Sequence, residues 1–522
     1  MVFPSVTICN LNQLEGSFLV DMNISENMKM SEALVTEYII GHKGSHKSQE
    51  HKKVANDFKK FSKNGLFSSY STQKCENMFM NIHFRGKFLE WKDHKNVDDT
   101  IFGNFEHKTD FGICCYFVPH LYFQESIDNK NASIGDRYHR LKADALSGKK
   151  HGLDILLNAE QFNYADPQSN SVGFQIALHN HRDKPIMQFS SDLLHPGTET
   201  QINLKPTLTK TTDDAISRFS PKNRDCYSDG EGQLTHITYQ EGYRYEMNNC
   251  FVDEKIKEII WNCRCRPVVW EKCYSCESDD HYYNAMKTLP LCTGRRLYCS
   301  NERMKFIGLE KMPESEDTIL PEAIKSPKLI GNVTKPQSIP CLPGCVVQHN
   351  NKLLSHSLYP QKTIFAYKKP FCIVASHVLF KTCLQQNRRI LLNEQHPNLC
   401  PILEVFNESF VQCEKWPEIF IESYGYPINK TLVEEMYQYE RNNIALVHVM
   451  IQSPFITTFK RDVAMTFLSY VANTGGLLGL FIGFSCISGI EILFWSCCCC
   501  NFKFKKNVEL VAPVEEAVDV EN

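Results

Sequence analysis

The sequence opens at Met1-Val2-Phe3-Pro4 with neither a signal peptide nor an initial hydrophobic span, so nothing in it explains how a long N-terminal region would cross a membrane. Two expectations follow: the sequence is truncated, or translocation depends on something outside it. A nucleophile elbow, a phosphate-binding loop and an HExxH pair are also missing, which leaves enzyme function without positive support. An excess of charge of either sign is lacking, with 57 Lys and Arg against 60 Asp and Glu. A formal net charge of −3 gives no electrostatic footprint for a nucleic-acid partner. The mean hydropathy of −0.33 fits a mostly soluble chain carrying one apolar span. At 522 residues the chain exceeds one compact domain and has ample material for a large core outside that span.

The span lies near the C-terminus. From Thr466 to Trp495 the chain is apolar for longer than the roughly 20 residues that cross a bilayer, and a transmembrane helix over 466–496 is predicted. Gly475, Gly479 and Gly483 recur every four residues and would let helices approach closely. That pattern serves an anchor helix with a dimerisation stripe as well as a pore helix. Glu491 tilts the reading toward an ion path, because a carboxylate inside a span is costly and usually faces a bundle interior or water.

The 23 cysteines divide sharply: eighteen from Cys9 to Cys413, one at Cys486 and four at Cys497 to Cys500. Ten fall between Cys226 and Cys345, which reads as a stapled module over 226–345. Cys273 and Cys276 supply one closely spaced pair for zinc, but the context favours disulfides, and no metal site is assigned. That context is five glycosylation sequons, at Asn23, Asn131, Asn332, Asn407 and Asn429, all before the span. Residues 1–465 are therefore expected outside the cell and the 497–522 tail inside, with Lys503, Lys505 and Lys506 following the positive-inside rule. Cys497, Cys498, Cys499 and Cys500 beside the membrane edge are palmitoylation candidates, or equally unmodified thiols.

Along the chain, Phe3 to Asn10 reads as a strand, followed by a more helical run to about residue 40. Histidines and lysines interleave over 41–53, where clustered cations oppose a divalent ion and a solvated face is expected. Alternation at Gly152–Leu157 and Gly173–His179 predicts half-buried strands, and Ile444–Met450 predicts another about fifteen residues before the span. Residues 302–340 read as a surface loop. Acidic groups cluster at Asp229 and Glu231, at Glu277, Asp279 and Asp280, and at Glu314, Glu316 and Asp317; they are proton or calcium sensors, or exposed carboxylates of ordinary acidity.

Two ends of the chain carry a resemblance. Phe3-Pro4-Ser5-Val6-Thr7-Ile8-Cys9-Asn10-Leu11-Asn12 and Gly475 to Ser485 are similar to segments of the amiloride-sensitive sodium channel family, the epithelial sodium channel/degenerin group. The first resembles the stretch after that family's first membrane helix, the second its second membrane helix. Gly152 to Ile155, Gly173 to His179, Pro196-Gly197 and the Cys263/Cys265 pair keep the family's order between them, so the resemblance covers nearly the whole chain. The segments Asn443 to Val449 and Ser488 to Trp495 look most like arthropod pickpocket-type members.

The resemblance implies an α+β membrane protein: a large disulfide-rich ectodomain with a β-rich palm and β-ball and a helical thumb and finger, joined to membrane helices. It implies a homo- or hetero-trimer conducting sodium ions passively, independent of voltage and blocked by amiloride, with no cofactor. Gly483, Phe484 and Ser485 match the selectivity filter, where the helix is interrupted. Ala472 matches a small-residue position where bulk holds the pore open. Asn473 to Gly476 match the outer mouth, Gly479 the close-packed pore face, and Glu491 an acidic position below the filter.

By the same resemblance Cys226 pairs with Cys345, Cys250 with Cys341, and Cys9 with Cys114 or Cys115; Cys263, Cys265, Cys292 and Cys299 are further disulfide candidates. Relatives carry a cysteine where Glu246 stands, and Cys372, Cys383, Cys400 and Cys413 are additional, which suggests extra bridges. The family's first membrane helix and its His-Gly motif are absent. A truncated conducting subunit is expected, with a non-conducting surface receptor or dominant-negative partner as the alternative.

Overall fold

The computed structural model describes residues 3–13, 15–17, 75–84, 87–89, 104–111, 113–117, 147–164, 171–180, 183–232, 234, 245–265, 267, 292, 299–300, 340–405, 413, 430–483 and 485–501. They fall into two compact units, one of residues 1–211 and 219–460, the other of 212–218 and 461–522.

The first unit is built on two sheets. One is five-stranded and antiparallel, in the order β4 (Asn104–Lys108), β5 (Ile113–Phe117), β1 (Ser5–Asn10), β7 (Phe174–His179) and β8 (Ser191–Leu194). Val6, Thr7 and Ile8 stand opposite Phe117, Tyr116 and Cys115 on one side and Leu178, Ala177 and Ile176 on the other, so the predicted first strand is interior. The other sheet is seven-stranded, in the order β10 (Val346–Leu358), β9 (Thr198–Thr211), β11 (Ile444–Ile451), β6 (Leu153–Asn158), β2 (Phe79–Phe84) and β3 (Lys87–Leu89), with β12 (Thr457–Arg461) also paired to β9. Strands β11 and β9 run parallel, placing His448 beside Gln201.

One hydrophobic cluster joins the sheets. Val6, Ile8, Phe174 and Ile176 from the first meet Ile155, Leu157, Ile202, Val447 and Val449 from the second. These are alternate positions along each strand, as the two-residue period of a strand requires. The other positions are also covered, which corrects the half-buried expectation. Leu156 and Ile444 turn into a second, helical cluster, and Leu446 packs against it; Ala177 joins Cys9, Cys114 and Met187 on the far side of the first sheet. These strands are buried on both faces because helices or a disulfide layer cap the side that alternation alone assigns to water.

Helix α1 (Met247–Cys263) ends where Arg264 turns left-handed at φ 52°. The helical cluster is made by α2 (Lys369–Val378), α3 (Gln386–Gln395), α4 (Leu399–Val405) and α5 (Lys430–Asn443). On α5 the buried residues Leu432, Met436, Tyr439 and Asn443 follow the helical period, giving one face to the cluster. Helix α5 passes directly into β11, and Gly197 locks this junction. Its N–H donates to Ile444 O at 2.7 Å and its carbonyl accepts from Tyr359 N at 2.9 Å. Gly197 has φ +72°, and a Cβ there would lie 2.5 Å from Arg441 O. Gly197→Ala is therefore expected to destabilise the fold by about 1–3 kcal/mol, read as a lowered denaturation midpoint with unchanged m-value.

The second unit holds two helices, α6 (Phe467–Ile482) and α7 (Cys486–Asn501), and a short helical segment, Asp213–Arg218. Thr212 ties that segment to the chain just before α6, donating from Oγ1 to Asp462 Oδ1 at 2.8 Å and from its N–H to Arg461 O at 3.0 Å. The residues expected to form the 466–496 span are two helices of 16 residues each, broken at the Gly483–Ser485 position where the resemblance implies an interruption, the second running to Asn501. Among the described residues no helix is long and apolar enough to cross a membrane.

Candidate pore segment

Helix α6 starts on a side-chain cap: Thr466 Oγ1 accepts from Ser469 N at 3.1 Å. From there to Ile490 the sequence has no Asp, Glu, Lys or Arg. Phe467, Leu468, Tyr470, Leu480 and Phe481 are all more than half exposed in the single chain. A helix this apolar on most sides is unusual for a surface facing water. At 100° per residue, Ala472, Gly476, Gly479 and Gly483 fall on one narrow face, with Asn473 beside it. At Gly475 and Gly476 an added Cβ would meet nothing within 4 Å, so that side of the helix is open.

The break between the helices has a specific chemistry. Gly483 takes φ 67° and ψ 19°, the left-handed conformation that ends many helices, and its N–H turns back to Gly479 O and Leu478 O. Two residues on, Ser485 starts α7: its Oγ accepts from Ser488 N at 3.2 Å, and Ser488 Oγ accepts from Ser485 N at 3.4 Å. A C-terminal glycine stop is followed at once by a reciprocal serine start. The last carbonyls of α6 have no helical partner and carry the negative end of the helix dipole. The Ser485 hydroxyl is engaged in its cap. Phe484 lies outside the described residues.

Helix α7 carries Glu491 on an exposed face, and Phe494 and Trp495 meet edge to face at 6.4 Å between ring centroids. Glu491 is thus not on the helix that bears Ala472, Asn473, Gly476 and Gly479. The thiol of Cys497 is free and exposed; the side chains of Cys498, Cys499 and Cys500 lie outside the described residues.

Eight disulfides staple the first unit among the described residues. Cys226 is bonded to Cys345, Cys250 to Cys341, Cys263 to Cys299 and Cys265 to Cys292. Cys9 takes Cys114, and Cys115 takes Cys75, a partner the sequence reading did not assign. Adjacent residues on β5 point to opposite faces, so Cys115 enters the inter-sheet core while Cys114 joins the outer cluster with Cys9. The four additional cysteines form Cys372–Cys413 and Cys383–Cys400. Cys273 and Cys276, all five sequon asparagines, the 41–53 stretch and the acidic clusters at 277–280 and 314–317 lie outside the described residues.

Of the acidic candidates that are described, Glu231 is already engaged. Desolvation pushes its carboxyl up, but hydrogen bonds from Arg224 and Ser228 together hold it below the usual range. That geometry is a turn lock, not an open sensor. Sequence reasoning missed His448, whose Nδ1 lies 2.6 Å from Asp154 Oδ1 and whose Nε2 lies 3.0 Å from Glu199 Oε1. A lone histidine inside the apolar run Ile444–Met450 was the available signal. Also missed was the buried triad in which Arg388 donates to Glu15 at 2.9 Å and to Glu160 at 2.8 Å.

The amiloride-sensitive sodium channel family profile matches residues 1–495. The chain is 21% identical over 187 residues to the epithelial sodium channel subunit alpha of Gallus gallus, covering 35% of this chain and 28% of that protein. It is 21% identical over 190 residues to subunit alpha of Homo sapiens, covering 36% and 27%. With subunit gamma-2 of Xenopus laevis it shares 26% over 127 residues, 24% of this chain and 18% of that protein. The alignments thus span less than a third of the length of these relatives. A profile match running from the first strand through the glycine-broken apolar segment establishes that this chain belongs to the amiloride-sensitive sodium channel family.

Proposed function

We propose that the chain is a subunit of a trimeric, voltage-independent, amiloride-sensitive and sodium-selective cation channel of the plasma membrane, gated through its ectodomain. The observation that carries this reading is the break at 483–485, where a glycine-stopped helix ends immediately ahead of a serine-capped second helix. Carbonyl oxygens at a helix C-terminus favour a partly dehydrated cation. Each of α6 and α7 is roughly 24 Å long, short of the about 30 Å hydrocarbon core, so the two act in succession with the break inside the membrane.

The subunits are homomeric or mixed, and the stripe of Ala472, Gly476, Gly479 and Gly483 packs around the pore axis. Asn473 to Gly476 line the outer mouth where amiloride acts, and Glu491 draws cations on the inner side. The disulfide-stapled unit is the extracellular palm, β-ball, thumb and finger, and the 497–522 tail is cytoplasmic, with Cys497 to Cys500 as acylation sites. An extracellular stimulus rearranges the thumb, and β11, which leads in sequence to α6, carries the change toward the pore.

Recording from oocytes expressing the chain with related subunits tests this reading. Ala472→Val is expected to give a constitutive, amiloride-blocked sodium current several-fold above wild type, because a bulkier side chain on the narrow face forces the helices apart. Surface-expressed protein that passes no amiloride-sensitive current with any related subunit would instead favour a non-conducting partner.

A further inference from the structure

The junction of α5 and β11 contains a carboxyl group that the channel chemistry does not use. Glu440 is fully buried, and neither of its carboxyl oxygens receives a hydrogen bond of good geometry within the described structure. A carboxylate stripped of water without a cation or donors is strongly disfavoured, whereas the neutral acid tolerates the site. The neighbours are acidic or neutral. Tyr359, at the end of β10, places its hydroxyl beside the carboxyl and is itself held well above its ordinary range by burial, then by Glu440 and Glu199 on β9. Tyr439, on α5, donates to Asn158 Oδ1 at 3.1 Å and lies in the field of both Glu160 and Arg388. Arg388 is engaged with Glu15 and Glu160, and Arg441 contributes its backbone carbonyl to the contact with Gly197. Burial, opposed only by the Tyr359 hydroxyl, pushes the Glu440 carboxyl up to about 8.

We propose that Glu440 is a proton-held latch: as the neutral acid it closes the α5–β11 junction, and on losing its proton in alkaline medium it loosens the root of the strand that leads toward α6. The position makes this consequential, because Asn443 is the last residue of α5 and Ile444 the first of β11. The junction is held by backbone contacts through Gly197, by Asn443 and by the first ladder pairs of β11 with β6 and β9. The sign is fixed by the raised acidity constant. The folded state holds the extra proton, so the stability contribution is complete below about pH 4.5, falls as pH rises, and is exhausted above about pH 8.

The test uses the full chain purified in nanodiscs. The infrared difference spectrum of wild type minus Glu440→Gln near pH 7 is expected to show the carbonyl stretch of a protonated carboxylic acid, titrating away near pH 8. In parallel, the wild-type melting midpoint should fall by several degrees from about pH 6 to about pH 8.5 while that of Glu440→Gln stays level. Should Glu440→Gln fail to fold, Tyr359→Phe serves: losing the one hydroxyl that supports the carboxylate should carry the acid band to higher pH. A wild-type protein without the acid band at neutral pH, or variant and wild-type midpoints falling in parallel, overturns the latch. An alkaline effect on current rests on the channel reading, but the latch does not. The band present without amiloride-blocked current would overturn only the channel reading.

Discussion

Replacing Arg388 by methionine is expected to cost about 3–5 kcal/mol, a large fraction of the stability of a folded domain. Arg388 sits on α3 with its side chain 5% exposed, between Glu160 at 1% and Glu15 at 10%. It joins the segment after β1, the turn after β6 and the helical cluster, three parts of the chain up to 373 residues apart. Burial alone pushes the Glu160 carboxyl up, and the Arg388 charge is the main opposing influence, with Asn163 Nδ2 donating to Oε2 at 3.2 Å. Removing Arg388 takes the guanidinium from between Glu15 and Glu160 and leaves the buried Glu160 without that ion pair, the case in which breaking an ion pair costs far more than never having had it.

Two measurements separate this mechanism from simple loss of packing. In Arg388→Met the Glu160 carboxyl should rise further, so the folded state holds a proton that the unfolded state gives up above about pH 4.5. The defect should therefore shrink in acid and grow toward neutral pH, in chemical denaturation of the detergent-solubilised protein. Adding Glu15→Gln and Glu160→Gln to Arg388→Met should recover most of the loss at pH 7. A triple variant no more stable than the single one would show that the guanidinium packs the site without balancing charge.

How much of this was legible in the sequence depends on whether the signal was local. The strand at Ser5–Asn10 and those containing Ile155, Ile176 and Val447 were visible because β-branched residues alternate. Their depth was not, since the helices and disulfide layer that cover the second face come from residues distant in the chain. The choice between Cys114 and Cys115 needed the direction each side chain takes from β5, and it brought in Cys75. The apolar segment reads as one long run because hydropathy does not register a single left-handed residue. The interruption at Gly483 and Ser485 was expected only through the resemblance; which residue ends one helix and which starts the next needed the backbone. Glu440 and Arg388 were invisible as sites, and His448 showed only as a lone histidine in an apolar run: a single titratable residue acquires meaning from what folding places beside it.

The break at Gly483 and Ser485 carries the second large expectation, and its two halves are separable. Gly483→Ala must adopt φ near 67° with a Cβ or abandon the turn, and a left-handed alanine costs about 1–2 kcal/mol relative to the helix it would rather continue. Ser485→Ala removes the acceptor of the Ser488 N–H, a cap worth about 1 kcal/mol, whereas Ser485→Thr keeps the oxygen. Either loss shifts the segment toward continuous helix by roughly fivefold or more, and a continuous helix turns the carbonyls of residues 480–483 back into its own hydrogen bonds. If those carbonyls form the sodium site, Gly483→Ala and Ser485→Ala should both lower the sodium-to-potassium permeability ratio, read from the reversal potential when potassium replaces sodium. Ser485→Thr should stay near wild type. The ordering matters more than the size. Were the serine hydroxyl itself the ligand, Ser485→Ala would abolish selectivity with Gly483→Ala untouched. Unchanged selectivity in conducting Gly483→Ala and Ser485→Ala channels would remove the 483–485 break from the ion path altogether.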